Sequence, residues 1–256
     1  MTYLISIILG VVEGITEFLP ISSTGHLILA SSLMGVAQTE FQKSFEILIQ
    51  LGAIASVVFL YWRSFLDLAV LKRVAVAFIP TGIIGLVLYK VVKTYLLGNE
   101  LVVVWALLLG GIALIAFEYF HREKPDAPKD ARHMTYFQAA LIGLCQSLAI
   151  VPGVSRSAAS IVGGLGAGLS RTAVVEFSFL LAVPTMLAAS GLDLMKSAWA
   201  FSPGEFGMLG LGFAVSFFVA LLSIKFLLAF VRTRTFVPFG IYRIVAAILF
   251  FLFVLR

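Results

Sequence analysis

The chain has 256 residues, 61% of them hydrophobic and only 12% charged, with a mean hydropathy of +1.08, which excludes a water-soluble domain and leaves a polytopic membrane protein. Its excess of basic residues, 18 Lys and Arg against 13 Asp and Glu, reads as a topology signal and not as a nucleic-acid footprint. The single cysteine, Cys145, excludes an internal disulfide and gives no metal-site spacing.

Residues 3–12 are apolar but too few to cross a hydrocarbon core of roughly 30 Å. No Lys or Arg precedes Lys43, and Glu13 cuts this run short, which argues against a cleavable signal peptide. The stretch EGITEFLPISSTGH, 13–26, follows at once. Glu13 and Glu17 stand four apart and so share a helix face, and Pro20 is expected to end that helix just before the run Ser22, Ser23, Thr24, Gly25, His26. A short apolar return covers 27–36. Residues 1–36 therefore read as a re-entrant helical hairpin, which needs protein or a wet cavity around its broken backbone.

Six longer apolar segments are expected to span, at about 44–62, 72–92, 100–120, 172–195, 206–230 and 236–255. Tyr61 and Trp62 beside Arg63 suit an interfacial anchor. Pro80, Pro184 and the glycines at 82, 85, 110 and 111 suggest kinks or close helix contacts. The hydrophilic stretch 121–134 carries no catalytic pattern and reads as a cytoplasmic linker, with His121 and His133 as surface residues. Residues 135–169 then repeat the first hairpin, with PGVSRSAAS at 152–160 as the polar break.

Shifting the chain by 133 positions sets Gly10 on Gly143, Glu13 on Gln146, Ser22 on Ser155 and Ser23 on Arg156. The expected fold is thus an all-α polytopic membrane protein with six transmembrane helices and two re-entrant hairpins in an inverted repeat, 1–120 and 135–256, joined by the linker into one membrane domain. Basic residues orient it. Arg63, Lys72, Arg73, Arg122, Lys124, Lys129, Arg132, Arg171, Arg232 and Arg234 fall on one side, and Lys43, Lys90, Lys93, Lys196 and Arg256 on the other. The richer side is cytoplasmic by the positive-inside rule, so both termini and the first hairpin open outward.

Two carboxylates in an apolar setting must be protonated, paired with a base or bound to a cation. Arg156 is the nearest basic candidate, and Mg²⁺ suits one or two carboxylates with water and phosphate oxygens; the bland alternative is a pair that only locks helices together. Arg156 lies between Ser155 and Ser157 after a Pro152–Gly153 break, where a guanidinium and helix-start N–H groups suit phosphate. His26 can be nucleophile, acid–base or structural, with chemistry favoured by the hydroxyls and carboxylates around it. Ser22, Ser23 and Thr24 can be nucleophiles, phosphate ligands or backbone caps. Arg243, Glu46 and Glu176 read as structural partners, Lys225 as snorkelling, and Asp193 with Lys196 as a surface pair.

The two polar breaks resemble the paired motifs of the undecaprenyl-diphosphate phosphatases of the bacitracin-resistance type. EGITEFLPISSTGH is similar to the family's acidic motif, and PGVSRSAAS to its Pro-Gly-x-Ser-Arg-Ser-x-x-Thr motif, with Ser160 in place of the final threonine. The likeness extends through FEILIQLGA at 45–53, EFSFLLAVP at 176–184 and the end of the chain. It implies an integral membrane phosphatase of the bacterial cytoplasmic membrane that removes the terminal phosphate of a polyprenyl diphosphate at an outward-facing site, recycling the carrier for cell-wall synthesis and conferring bacitracin resistance. It also implies a divalent cation, Mg²⁺ or Ca²⁺, on Glu13 and Glu17. By position, Glu13, Glu17, His26, Ser23 and Arg156 form the catalytic set, and Ser22, Ser23, Thr24, Ser155, Arg156, Ser157 and Ser160 the phosphate-binding set. Either His26 or Ser23 can attack phosphorus, and His26 is the one favoured. Partners are the lipid substrate and the bilayer, with no nucleic acid and a homodimer left open. The competing expectation is an inverted-repeat transporter or flippase of a lipid phosphate or small anion.

Overall fold

A computed structural model describes residues 1–37, 39–96, 99–196 and 203–254. The side chains of Lys93, Asp193 and Lys196, and the whole of Arg256, lie outside the described residues. Among the described residues the regular structure is entirely helical. In chain order the α-helices are α1 (Tyr3–Thr16), α2 (Ser23–Leu33), α3 (Glu40–Tyr61), α4 (Leu68–Val91), α5 (Glu100–Phe120), α6 (Tyr136–Gln146), α7 (Arg156–Gly166), α8 (Arg171–Lys196), α9 (Pro203–Val231) and α10 (Val237–Val254).

Polar residues start these helices where the chain leaves lipid. Thr39 and Asn99 accept from the backbone N–H groups of Gln42 and Val102, and Thr135 forms a reciprocal capping box with Gln138. Asp67 accepts from Ala69 N–H at 2.8 Å at the start of α4. That bond, and Arg132 Nε 2.7 Å from Oδ2, hold its carboxyl below the ordinary range. The Arg132 contact ties the 121–134 stretch to the start of α4. Pro128 O, accepting from Ser170 N–H at 3.2 Å, ties it to the start of α8.

Among the described residues five stretches are long and apolar enough to cross a membrane: α3, α4, α5, Arg171–Gly191 of α8 and Glu205–Val231 of α9. The chain is a multi-pass membrane protein. The sixth expected span, α10, is described over 18 residues, about 27 Å at the helical rise, and is the shortest of the six. The first hairpin also turns earlier than expected. The last regular bond is Glu17 N–H to Glu13 O, 2.9 Å, and α1 stops four residues before Pro20, which itself offers no N–H to Thr16 O. Glu17 keeps αR dihedrals (φ −62°, ψ −44°), which holds it on the face of Glu13.

The packing partners exchange between halves. α1 lies on α9 while α6 lies on α4, and α5 lies against α10. Gly10 and Gly143, 133 positions apart, serve both crossings: a Cβ on Gly10 would come 2.9 Å from Gly212 O, and one on Gly143 would strike Ala77 O. α8 runs through the centre and contributes the buried Val174, Val175, Phe177, Phe179, Leu180 and Leu181. Its Phe179 meets Phe18, from the first hairpin's turn, edge to face at 5.3 Å.

Candidate active site

The tips of the two hairpins meet. Each tip carries a serine in a conformation that L-residues rarely adopt, Ser22 at φ 74°, ψ 98° and Ser155 at φ 74°, ψ 114°. In the described chain every other positive-φ residue is a glycine, and such strain persists only where the surroundings impose it. Each of the two serines caps the helix that follows: Ser22 Oγ accepts from Gly25 N–H at 3.4 Å, and Ser155 Oγ from Ala158 N–H at 3.2 Å. The first turns of α2 and α7 therefore face a common cavity of about 120 Å³, lined by Glu17, Ser22, Ser23, Thr24, Ser155 and Arg156 together with Gln50 of α3. Two helix N-termini and one guanidinium around so small a space are the groups that suit an anion.

Glu17 is the hub. Its Oε1 accepts from Arg156 Nη2 at 3.1 Å and its Oε2 from Ser23 Oγ at 2.6 Å, with both ion-pair side chains more than nine-tenths buried. Arg156 Nη1 donates to Ser178 O on α8 at 2.9 Å, which fixes the guanidinium plane. Glu13 is fully buried beside Glu17, Glu46 and Arg156, yet among the described residues neither of its carboxyl oxygens meets a hydrogen-bond donor. A buried carboxyl in that state calls for a proton or a cation. The pair fits a divalent cation on that ground. Among the described residues no third His, Cys, Asp or Glu completes a ligand group; the remaining oxygens would be phosphate and water, which suits Mg²⁺ better than Ca²⁺.

The other expected site residues separate. Ser157 Oγ donates to Phe18 O at 2.7 Å and pins the two hairpins together. Ser160, also fully buried, exchanges a hydrogen bond with Ser178 Oγ at 2.6 Å, beneath the site and away from the cavity wall. His26 lies off the cavity. Its Nδ1 meets Ser22 O at 2.7 Å and its Nε2 meets Tyr242 Oη at 2.8 Å, with the two rings stacked at 5.4 Å. Because a carbonyl can only accept, Nδ1 carries the proton and Nε2 accepts from the tyrosine.

Sequence reasoning passed over Gln50, Tyr242 and Arg243 as site residues. Arg243 is completely buried and donates to five carbonyls: Ala106 and Leu107 of α5 at 2.9 and 3.4 Å, Pro20 of the first tip at 3.4 Å, and Gly153 and Val154 of the second at 3.0 and 2.8 Å. It is the peg on which both breaks hang, and its signal was a full charge in the middle of an apolar span. Gly110 leaves it room, since a Cβ there would collide with the guanidinium. For Gln50 the signal was a polar residue within FEILIQLGA.

The family described as Bacitracin resistance protein BacA matches residues 6–249. A protein of Sulfurihydrogenibium sp. (strain YO3AOP1) named Undecaprenyl-diphosphatase is 53% identical over 252 residues, covering 98% of this chain and 99% of that one. Proteins of the same name from Aquifex aeolicus (strain VF5) and Methanococcus aeolicus are 50% and 45% identical, covering 99% and 98% of this chain and 100% and 98% of their own lengths.

Proposed function

We propose that this chain, which belongs to the bacitracin resistance protein BacA family, is an integral membrane undecaprenyl-diphosphatase that converts the polyprenyl diphosphate to its monophosphate and inorganic phosphate. One observation carries the chemistry: a serine hydroxyl 2.6 Å from a carboxylate that is itself paired with Arg156, in a cavity onto which two helix N-termini open. Hydrolysis of a phosphoric anhydride asks for charge neutralisation and a positioned nucleophile, and those are the parts present. Transport of a lipid phosphate or anion is the weaker reading, since relatives matched along nearly their whole length carry the name of a hydrolase.

In the mechanism Ser23 Oγ attacks the terminal phosphorus and its proton passes to Glu17 Oε2. The bond from that phosphorus to the bridging oxygen breaks, and the polyprenyl monophosphate leaves with the bond's electron pair. Water then attacks the phosphoserine, releasing inorganic phosphate and restoring the hydroxyl. Arg156 and the N–H groups of α2 and α7 hold the phosphate oxygens. A divalent cation on Glu13 and Glu17, when bound, adds neutralising charge. His26, expected from the sequence to attack phosphorus, is here a positioning residue: it links Ser22, the strained cap of α2, to Tyr242 beside the Arg243 peg.

Purified protein should release phosphate from undecaprenyl diphosphate, and chelation should remove most of that activity and added Mg²⁺ restore it. No release from the lipid under any of these conditions refutes the assignment; undiminished release after thorough chelation refutes the cation alone.

The finer architecture follows the same proposal, with two inverted halves of one hairpin and three spans each. Support comes from the matching serine dihedrals, the matching crossing glycines and the exchanged helix partners. The site opens outward by the basic-residue count. Ala37 is exposed between α2 and α3. A cysteine placed there, with Cys145 replaced, should react with an impermeant thiol reagent in intact cells; reaction only after membrane rupture would reverse the orientation.

A further inference from the structure

A second, larger cavity of about 930 Å³ lies between α4, the 147–150 turn and α8, and it shares Arg156, Ala149 and Met186 with the wall of the small one. Arg156, Gln146, Thr81, Thr185 and Ser147 supply polar groups at the end next to the hairpin tips, and Tyr89 adds a hydroxyl farther along α4. The remaining wall is apolar, and Ile79, Ile83 and Leu86 on it are more than half exposed, so the cleft opens sideways to where lipid lies. Gln146 is 1% exposed, donates through Nε2 to Thr185 Oγ1 at 3.1 Å, and has an Oε1 that no donor meets. A cleft with an anion site at one end and an apolar, laterally open body matches an amphipathic chain with a phosphate head.

The glycines on its wall are of an unusual kind. Most helical glycines here permit close approach: a Cβ on Gly14 would come 2.8 Å from Ser216 O, and one on Gly52 would come 2.5 Å from Phe213 O. Gly82 and Gly85 on α4 and Gly191 on α8 do not. Among the described residues a Cβ at Gly85 or Gly191 meets nothing within 4 Å, and one at Gly82 only the edge of Phe78 at 3.6 Å. Their φ angles do not require glycine either. Sequence had suggested kinks or helix contacts for 82 and 85; that role belongs to 110 and 111, which pack on Arg243 and Gly240. Glycine inside a helix costs about 1 kcal/mol relative to alanine, and at these three positions, unlike the equally open Gly210, the room it leaves is part of the cleft.

We propose that Gly82, Gly85 and Gly191 keep this cleft open for the phosphate-proximal part of the polyprenyl chain, and that they set how thick a chain the enzyme accepts. The proposal rests on the phosphatase assignment for the identity of the lipid. Its occupant is fixed by continuity with the anion site at Arg156.

The test separates binding from turnover. Binding of undecaprenyl monophosphate, which needs no catalysis, is measured for the parent, Gly85→Leu, Gly82→Leu and, as a control on an exposed glycine of α9 away from the cleft, Gly210→Leu. The two cleft variants should bind roughly tenfold or more weakly, in line with the usual effect of a few methylenes in an apolar pocket, and Gly210→Leu as the parent does. In the phosphatase assay KM should rise in the same variants with kcat little changed. Parent-like binding in folded Gly82→Leu and Gly85→Leu overturns the proposal, as does a parent that binds no polyprenyl monophosphate. A parent that binds the lipid with the expected variant pattern but releases no phosphate from the diphosphate refutes the enzymatic reading and leaves the cleft standing.

Discussion

Arg156→Ala should retain less than about a thousandth of the parent's phosphate release, and Arg156→Lys only about a hundredth. The guanidinium spends one nitrogen on Ser178 O, which anchors it to α8, and another on Glu17 Oε1. A lysine keeps the charge but cannot span two partners lying in one plane or present a fork to phosphate. Alanine also leaves Glu17 buried without its counter-charge, a situation that costs several kcal/mol in a dry site and less where the cavity admits water. Thermal unfolding of the purified variants therefore has to accompany the kinetics. Well-folded Arg156→Ala with near-normal turnover would remove the second hairpin from the active site.

Ser23→Ala is expected to fall by roughly ten-thousandfold or more, the loss typical of a nucleophile, while His26→Gln should fall by tens of fold, as for a group acting through its neighbours. Ser23 touches Glu17 and lines the cavity; His26 reaches the site only through Ser22 O and Tyr242. Acid quenching of the parent during turnover should trap phosphate on serine, which survives acid, in contrast to phosphohistidine. Tyr242→Phe should reproduce the modest loss of His26→Gln, because both break the same 2.8 Å contact. An acid-labile phosphorylated intermediate, or abolition of turnover in His26→Gln with Ser23→Ala active, would return the nucleophile's role to His26.

Much of this protein was legible in its residue order. Composition placed the chain in lipid, because so few charges cannot solvate a folded surface. Proline, glycine and hydroxyl clusters located both helix breaks, since backbone groups freed inside a membrane must find partners nearby. The shift of 133 positions paired Gly10 with Gly143 and Ser22 with Ser155, and these pairs prove alike in packing and in dihedral angles. Local rules sufficed for these features because each is a property of neighbouring residues.

Where each side chain points came from the packing of the helices. Ser157 and Ser160 carry the same hydroxyls as Ser22 and Ser23, yet they point into protein, Ser157 onto Phe18 O of the other hairpin and Ser160 onto Ser178 of α8. His26 stands three residues beyond Ser23, a spacing that by itself puts the two on nearly one helix face, yet its ring bonds Ser22 O and Tyr242 of α10 and does not line the cavity. The joining of Glu17 to Arg156, 139 positions apart, and the seating of both tips on Arg243, depend on α10 and α5 packing between the breaks. No spacing along the chain encodes that arrangement, since a buried guanidinium with five carbonyls to satisfy can be placed only when the helices carrying them have already met.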